Sequence, residues 1–199
     1  MQNHFMFICI ATFCFVSCHK TNTLSENDFK WMPYKGNETL VFSSTSGATD
    51  TFYFIKKDTI FAYPEAQATN GIKYEQVSII CKHSDPWPPD GKHRYLEDSF
   101  LKLQKNIDNY AELNLLLSGK DAVFYRLKGF KIDTLNNQKA VTFQTKYRKY
   151  DDVYIINSDS YNKFYNRSDF VTKVYWSKSK GLIRYDKKDN GYWELTNSY

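Results

Sequence analysis

The segment 171–195, VTKVYWSKSKGLIRYDKKDNGYWEL, restricts the fold more than any other part of this sequence. It holds three short aromatic or β-branched runs, separated by two stretches suited to turning a chain. Val174 and Trp176 are predicted on one face of a strand, with Val171, Lys173 and Tyr175 on the other, because side chains alternate along an extended chain. Ser179-Lys180-Gly181 is predicted to turn, glycine supplying a positive φ without steric cost. Asp189-Asn190-Gly191 is a hairpin signal, after which Tyr192-Trp193-Glu194-Leu195 closes a three-strand meander.

The rest of the body reads similarly. Thr39-Leu40-Val41-Phe42-Ser43 and Thr51-Phe52-Tyr53-Phe54-Ile55 form a first hairpin around the loop 44–50, and a short run at 59–63 precedes Pro64. Val77, Ile79 and Cys81 share one strand face. The run SDPWPPDG at 84–91 is the clearest loop, since prolines cannot sit inside a central strand. Segments 122–127, 140–144 and 152–156 are three further strands. Segment 95–107 fits two periods. Leu96, Phe100, Leu103 and Ile107 suit a helix, whereas Leu101, Leu103 and Ile107 share one strand parity. Strand is favoured because the following apolar run is short and Asn106, Asp108 and Asn109 mark a turn. Tyr 16, Phe 15 and Trp 4 against Gly 8 and Pro 5 suit pleated, half-buried surfaces. The expectation is a mostly β chain: a single antiparallel meander of roughly eight to ten strands, strongly curved or a half-open barrel. The alternative is a two-sheet β-sandwich. An open barrel would enclose an aromatic-lined hollow; a sandwich would interdigitate the same rings in a dry core.

The N-terminus follows other rules. Residues 5–16, FMFICIATFCFV, have the length of a signal-peptide core and are too short to span a bilayer as a helix. The break Phe15-Val16-Ser17-Cys18 resembles the lipobox of bacterial lipoproteins, in which a small residue precedes a cysteine that becomes acylated and N-terminal. The resemblance implies that residues 1–17 are a lipoprotein signal peptide and that Cys18 is the lipid attachment site. Residues 18–30 would then be the lipidated N-terminus and a flexible tether, polar and aperiodic, and residues 31–199 the antiparallel β domain. His19 in place of the Asp used as an inner-membrane retention cue implies the outer membrane, with periplasmic face and cell surface both open. Ordinary secretory cleavage, an uncleaved anchor and a buried segment of a cytosolic domain are the competing readings. Of Cys9, Cys14, Cys18 and Cys81, the body keeps only Cys81, so an intramolecular disulfide is not expected there.

Residues 150–154, 174–178, 181–185 and 191–195 carry a second resemblance, to outer-membrane lipoproteins of Bacteroidota-type bacteria without assigned activity. In these an aromatic strand ending in Ser-Lys hairpins into Gly-Leu-Ile, and a second hairpin ends in Trp-x-Leu. The resemblance implies an antiparallel β domain on a lipid anchor and supplies no catalytic residue.

The charge of +5 is spread along the chain. Lys146-Tyr147-Arg148-Lys149 interleaves cations with an aromatic, but lysines at a solvated strand edge explain it, and a nucleic-acid partner is not expected. Cys81, His83, Asp85, Asp90 and His93 surround the proline-rich loop in no zinc spacing. A metal or other cofactor is not expected, and Cys81 reads as a small buried residue rather than a nucleophile paired with His83. Adjacent Asp151 and Asp152 point to opposite faces and do not make a glycosidase pair. The sequence has no nucleophile elbow, zincin motif or phosphate-binding loop, so a hydrolase is the least supported reading. Trp31, Trp176 and Trp193 are expected in the core. Trp87, in the loop, is the candidate for stacking on a ligand. The chain therefore reads as a membrane-anchored envelope lipoprotein with a structural or interaction role. The alternative is a binding module presenting an aromatic-lined surface to a lipid or glycan.

Overall fold

A computed structural model describes residues 20–63, 71–84, 95–124, 129–159 and 165–199. The elements in chain order are β1 (Thr21–Asn22), α1 (Glu26–Phe29), β2 (Thr39–Ser44), β3 (Thr49–Ala62), β4 (Lys73–Ser84), β5 (Tyr95–Lys105), β6 (Ala111–Leu115), β7 (Leu117–Ser118), β8 (Val123–Phe124) and β9 (Phe130–Lys131). Then come α2 (Ile132–Asn136), β10 (Val141–Gln144), β11 (Lys149–Asn157), β12 (Val171–Ser177), β13 (Gly181–Lys187) and β14 (Tyr192–Ser198). Twelve strands make one sheet in the order β10-β11-β12-β13-β14-β2-β3-β4-β5-β6-β9, with β1 added in parallel to β4; β7 and β8 form a separate ribbon. All other ladders are antiparallel, so the predicted curved meander describes the molecule. Segment 95–107 is strand β5 and its turn.

Turn chemistry places the hairpins. Gly181 (φ 81°) opens β13, and Asn190 (φ 67°) and Asn109 (φ 62°) take left-handed positions in the β13–β14 and β5–β6 turns. The sheet bends where its ladders slip, at Phe54/Lys56, Ile79/Ile80, Tyr175/Trp176 and Leu195/Asn197. A further slip at Val171/Lys173 breaks the parity read from the sequence, and Val171 is buried like Val174 and Trp176.

The curvature is large. β5 and β12 stand six strands apart in the order, which in a flat sheet would separate them by about 29 Å. Yet Phe100 of β5 and Trp176 of β12 each lie 5.9 Å, centroid to centroid, from the single ring of Tyr34. The sheet thus curls around Tyr34 without closing. Its two edge strands, β9 and β10, are consecutive in the sheet's chain order, and α2 connects them. α2 is too short to be stable by propensity and has no side-chain cap; burial of Ile132 and Leu135 holds it.

The segment expected to hang as a tether is laid against the sheet from Lys20 onward. Lys73 N–H donates to Lys20 O at 2.9 Å, which begins the β1–β4 ladder. Leu24 is buried and donates its N–H to Glu75 Oε2 at 2.8 Å. Ser25 and Asp28 cap α1 reciprocally, and Asp28 pairs with Lys105 at 3.2 Å. Polar composition concealed this because the polar groups are spent on caps and cross-chain bonds.

Candidate functional site

Cys18 and Trp87, the two residues singled out for lipid attachment and ligand stacking, lie outside the described residues, as do Asp85, Asp90 and His93. Cys81 and His83 sit on the core side of β4, 2% and 3% exposed. Burial, reinforced by Asp98 opposite in the ladder, pushes the Cys81 thiol up to about 12. At neutral pH it is a protonated, inaccessible thiol, unsuited to nucleophilic attack. Among the described residues no three His, Cys, Asp or Glu side chains converge as a metal ion requires.

The concave face of the sheet is occupied by the chain itself. The run 31–34 crosses it and buries Trp31, Met32 and Tyr34. Tyr34 wedges between Phe54 (4.7 Å), Phe100 and Trp176, and its hydroxyl accepts Leu182 N–H at 2.7 Å. Behind it Phe42 meets Phe52 at 5.7 Å and Tyr185 at 5.5 Å, and Tyr185 stacks on Trp193 at 6.2 Å. As expected, Trp31, Trp176 and Trp193 are core residues. The rings that would line a hollow fill it instead.

The outer face holds an ionic cluster with catalytic-looking composition. The Arg184 guanidinium lies 3.7 Å from the centre of the Tyr192 ring, and its Nε donates to Asp186 Oδ1 at 2.6 Å. Its Nη1 donates to Glu194 Oε1 at 3.1 Å. Tyr175 donates to Asp186 Oδ2 at 2.8 Å, and Lys146 N–H donates to Glu194 Oε2 at 3.1 Å. Every carboxylate oxygen is thus engaged. Burial, then the neighbouring Asp186, pushes the Tyr175 hydroxyl up to about 12. The cluster fastens the β10–β11 hairpin loop to β14 and leaves no free acid or base for a substrate. Asp152 is committed likewise. Its burial would raise it, but hydrogen bonds from Ser177 (2.7 Å) and Ser179 (2.7 Å) hold it below the usual carboxylate range. Ser177 itself is fully buried.

A cleft lies at the seam. Between α2 and the second half of β11 lies a cleft of about 440 Å³, with Phe130, Leu135, Ile155 and Ile156 among its walls and Lys131, Gln138 and Asn157 at its rim. Lys178 N–H donates to Asp152 O and Ser158 N–H to Thr172 O, so the even-numbered residues of β11 bond to β12. By alternation Val153, Ile155 and Asn157 turn their backbone groups the other way. Val153 pairs with Val141 of β10, whereas no described strand pairs with Ile155 or Asn157. Two features of the seam escaped the sequence reading. α2 carries no helical period of useful length, and the unpaired half of β11 depends on where β10 stops.

These features define an open, curled antiparallel sheet with an aromatic core and one apolar cleft at its seam. The chain matches no protein-family model, no curated protein and no solved structure.

Proposed function

We propose that this protein is a lipid-anchored component of the bacterial cell envelope, held in the outer membrane through acylated Cys18, and that its β domain acts by presenting a surface to other envelope components. The observation that carries the second half is the filled concave face: Tyr34 and its ring neighbours take the space an acyl chain or small ligand would need. The saturated ionic clusters around Arg184 and Asp152 weigh against turnover of a substrate. The first half is supported by the apolar run ending at Ser17-Cys18 and the polar residues directly after it. Two acyl chains hold a protein firmly to a bilayer, whereas one gives marginal binding. Replacing Cys18 with alanine should abolish incorporation of labelled fatty acid and leave the unprocessed precursor. Equal labelling of the variant would sink the proposal.

A second reading, a carrier of a small apolar or amphipathic ligand, is favoured by the seam cleft, whose size lies within the range of roughly 300–1,000 Å³ usual for ligand sites. Native mass spectrometry of protein extracted from its own membrane separates the two. The presenting role predicts the acylated chain mass alone. A constant additional mass of a lipid or glycan, lost on Leu135→Asp or Ile155→Asp, would make the seam a binding site and reverse the order of the readings.

A further inference from the structure

The end of α1 and the turn between β12 and β13 border a shallow recess of about 470 Å³. Phe29 and Pro33 give it an apolar wall, and Lys30, Lys178, Ser179 and Asp152 stand around them. Each side is fixed by the chain next to it. The Ser25–Asp28 capping box holds α1, which ends at Phe29 with Lys30 as its C-cap. Opposite, the positive φ of Gly181 sets the turn that carries Lys178 and Ser179.

The cations here are placed without acids. Lys178 is half-buried, its Nζ 4.7 Å above the Trp31 ring and bonded to Asn136 Oδ1 at 3.0 Å. Lys30 Nζ donates to Asn27 Oδ1 at 2.8 Å. Lys57 Nζ lies 5.6 Å from the centre of the Phe29 ring. These partners are neutral, and among the described residues neither Lys30 nor Lys178 has an acid in ion-pair reach. By contrast, Lys105 meets Asp28 at 3.2 Å, and Lys187 meets Asp121 and Asp189 at 2.9 and 3.2 Å. Asp152 lines the recess, but its oxygens accept from Ser177 and Ser179 rather than from a lysine. Burial, then the like charge of Lys30, holds the Lys178 ammonium below the ordinary lysine range. Single exposed lysines form a solvated face. Two that repel each other beside an apolar wall, one of them clamped in place, make an arrangement that an incoming anion relieves. Two lysines against Asp152 leave one net positive charge in the lining, which matches a monocarboxylate better than a phosphate dianion.

We propose that this recess binds a monocarboxylic acid, its carboxylate bridging Lys30 and Lys178 and its compact apolar body lying against Phe29 and Pro33. The site is independent of the lipid anchor and of the seam cleft. Lys178 needs no rearrangement to serve it, because Trp31 and Asn136 already hold the ammonium at the rim.

The test uses the full chain in a neutral detergent, with its lysines reductively methylated by isotope-labelled methyl groups, which keep the charge. Hexanoate is titrated in beside hexanamide, its uncharged counterpart. The methyl signals of Lys30 and Lys178 should shift saturably with hexanoate and stay still with hexanamide, while Lys56, already paired with Asp58, serves as the internal control. Bound hexanoate should also move the titration of Lys178 to higher pH. Lys30→Gln, at an exposed position bonded to Asn27, should fold normally and weaken hexanoate binding several-fold. Signals of Lys30 and Lys178 that do not move, equal shifts with hexanamide, or unchanged affinity in Lys30→Gln would each overturn the site.

Discussion

Gly181→Ala should destabilise the protein by about 4 kcal/mol, read as a fall in the denaturant midpoint at unchanged slope. Two costs add. Gly181 has φ 81°, a left-handed conformation that costs a residue with a Cβ about 1–2 kcal/mol. The new Cβ would also collide with the hydroxyl end of Tyr34. Tyr34 has nowhere to go, because Phe54, Phe100 and Trp176 surround its ring. Pushing it aside breaks its bond from Leu182 N–H, and a buried donor left unpaired costs about 1–3 kcal/mol. Gly47→Ala is the internal control. Its φ of 84° is as unfavourable, but nothing lies within 4 Å of the added carbon, so it should cost only the backbone term. Equal losses in the two variants would mean that Tyr34 is not wedged. Tyr34→Phe should not recover the loss when combined with Gly181→Ala, because ring carbons Cζ and Cε2 of residue 34 also stand in the way of the new Cβ.

Trp31→Ala should cost a similar amount, about 3–5 kcal/mol for a fully buried aromatic, and should loosen one region selectively. Trp31 packs on Tyr154 of β11 at 4.6 Å and donates its indole N–H to Asn136 Oδ1 at 2.9 Å, at the end of α2. Lys178 Nζ lies 4.7 Å above the ring and donates to the same Asn136 oxygen at 3.0 Å. One side chain thus ties together both walls of the seam and the turn between β12 and β13. Amide exchange in α2 and the second half of β11 should accelerate far more than in β4 and β5, where the ladders are long. Uniform acceleration, or a loss below about 1 kcal/mol, would mean that the seam is held by something else.

Much of the sheet was legible because its signals are local. Gly181 and Asn190 announce their turns by residue type, and the aromatic runs between them can only be strands of a half-buried surface. The losses came from non-local causes. Val171 lies on the wrong parity because a ladder slip, decided by the partner strand, turns it inward. Leu24 and Tyr34 join the core although their stretch has no period, since a segment laid against a sheet contributes side chains where the sheet has room. Nothing in residues 39–44 or 192–198 alone says that β2 and β14 are neighbours. Of the two candidate site residues, neither Cys18 nor Trp87 lies in the described part. The seam cleft was invisible because it exists only where two strands fail to meet.

That β2–β14 pairing sets a schedule for folding. Thr39 and Tyr199 exchange both backbone bonds, at 3.2 and 3.1 Å, and Thr196 reaches Val41 across 155 residues of sequence. Until β14 is available, strands β2 to β6 and strands β11 to β13 are two separate ribbons with raw edges, each a template for wrong pairing. A chain emerging from its amino end presents the first ribbon long before the strand that protects it, and its productive folding waits on that final stitch and is slow for its size.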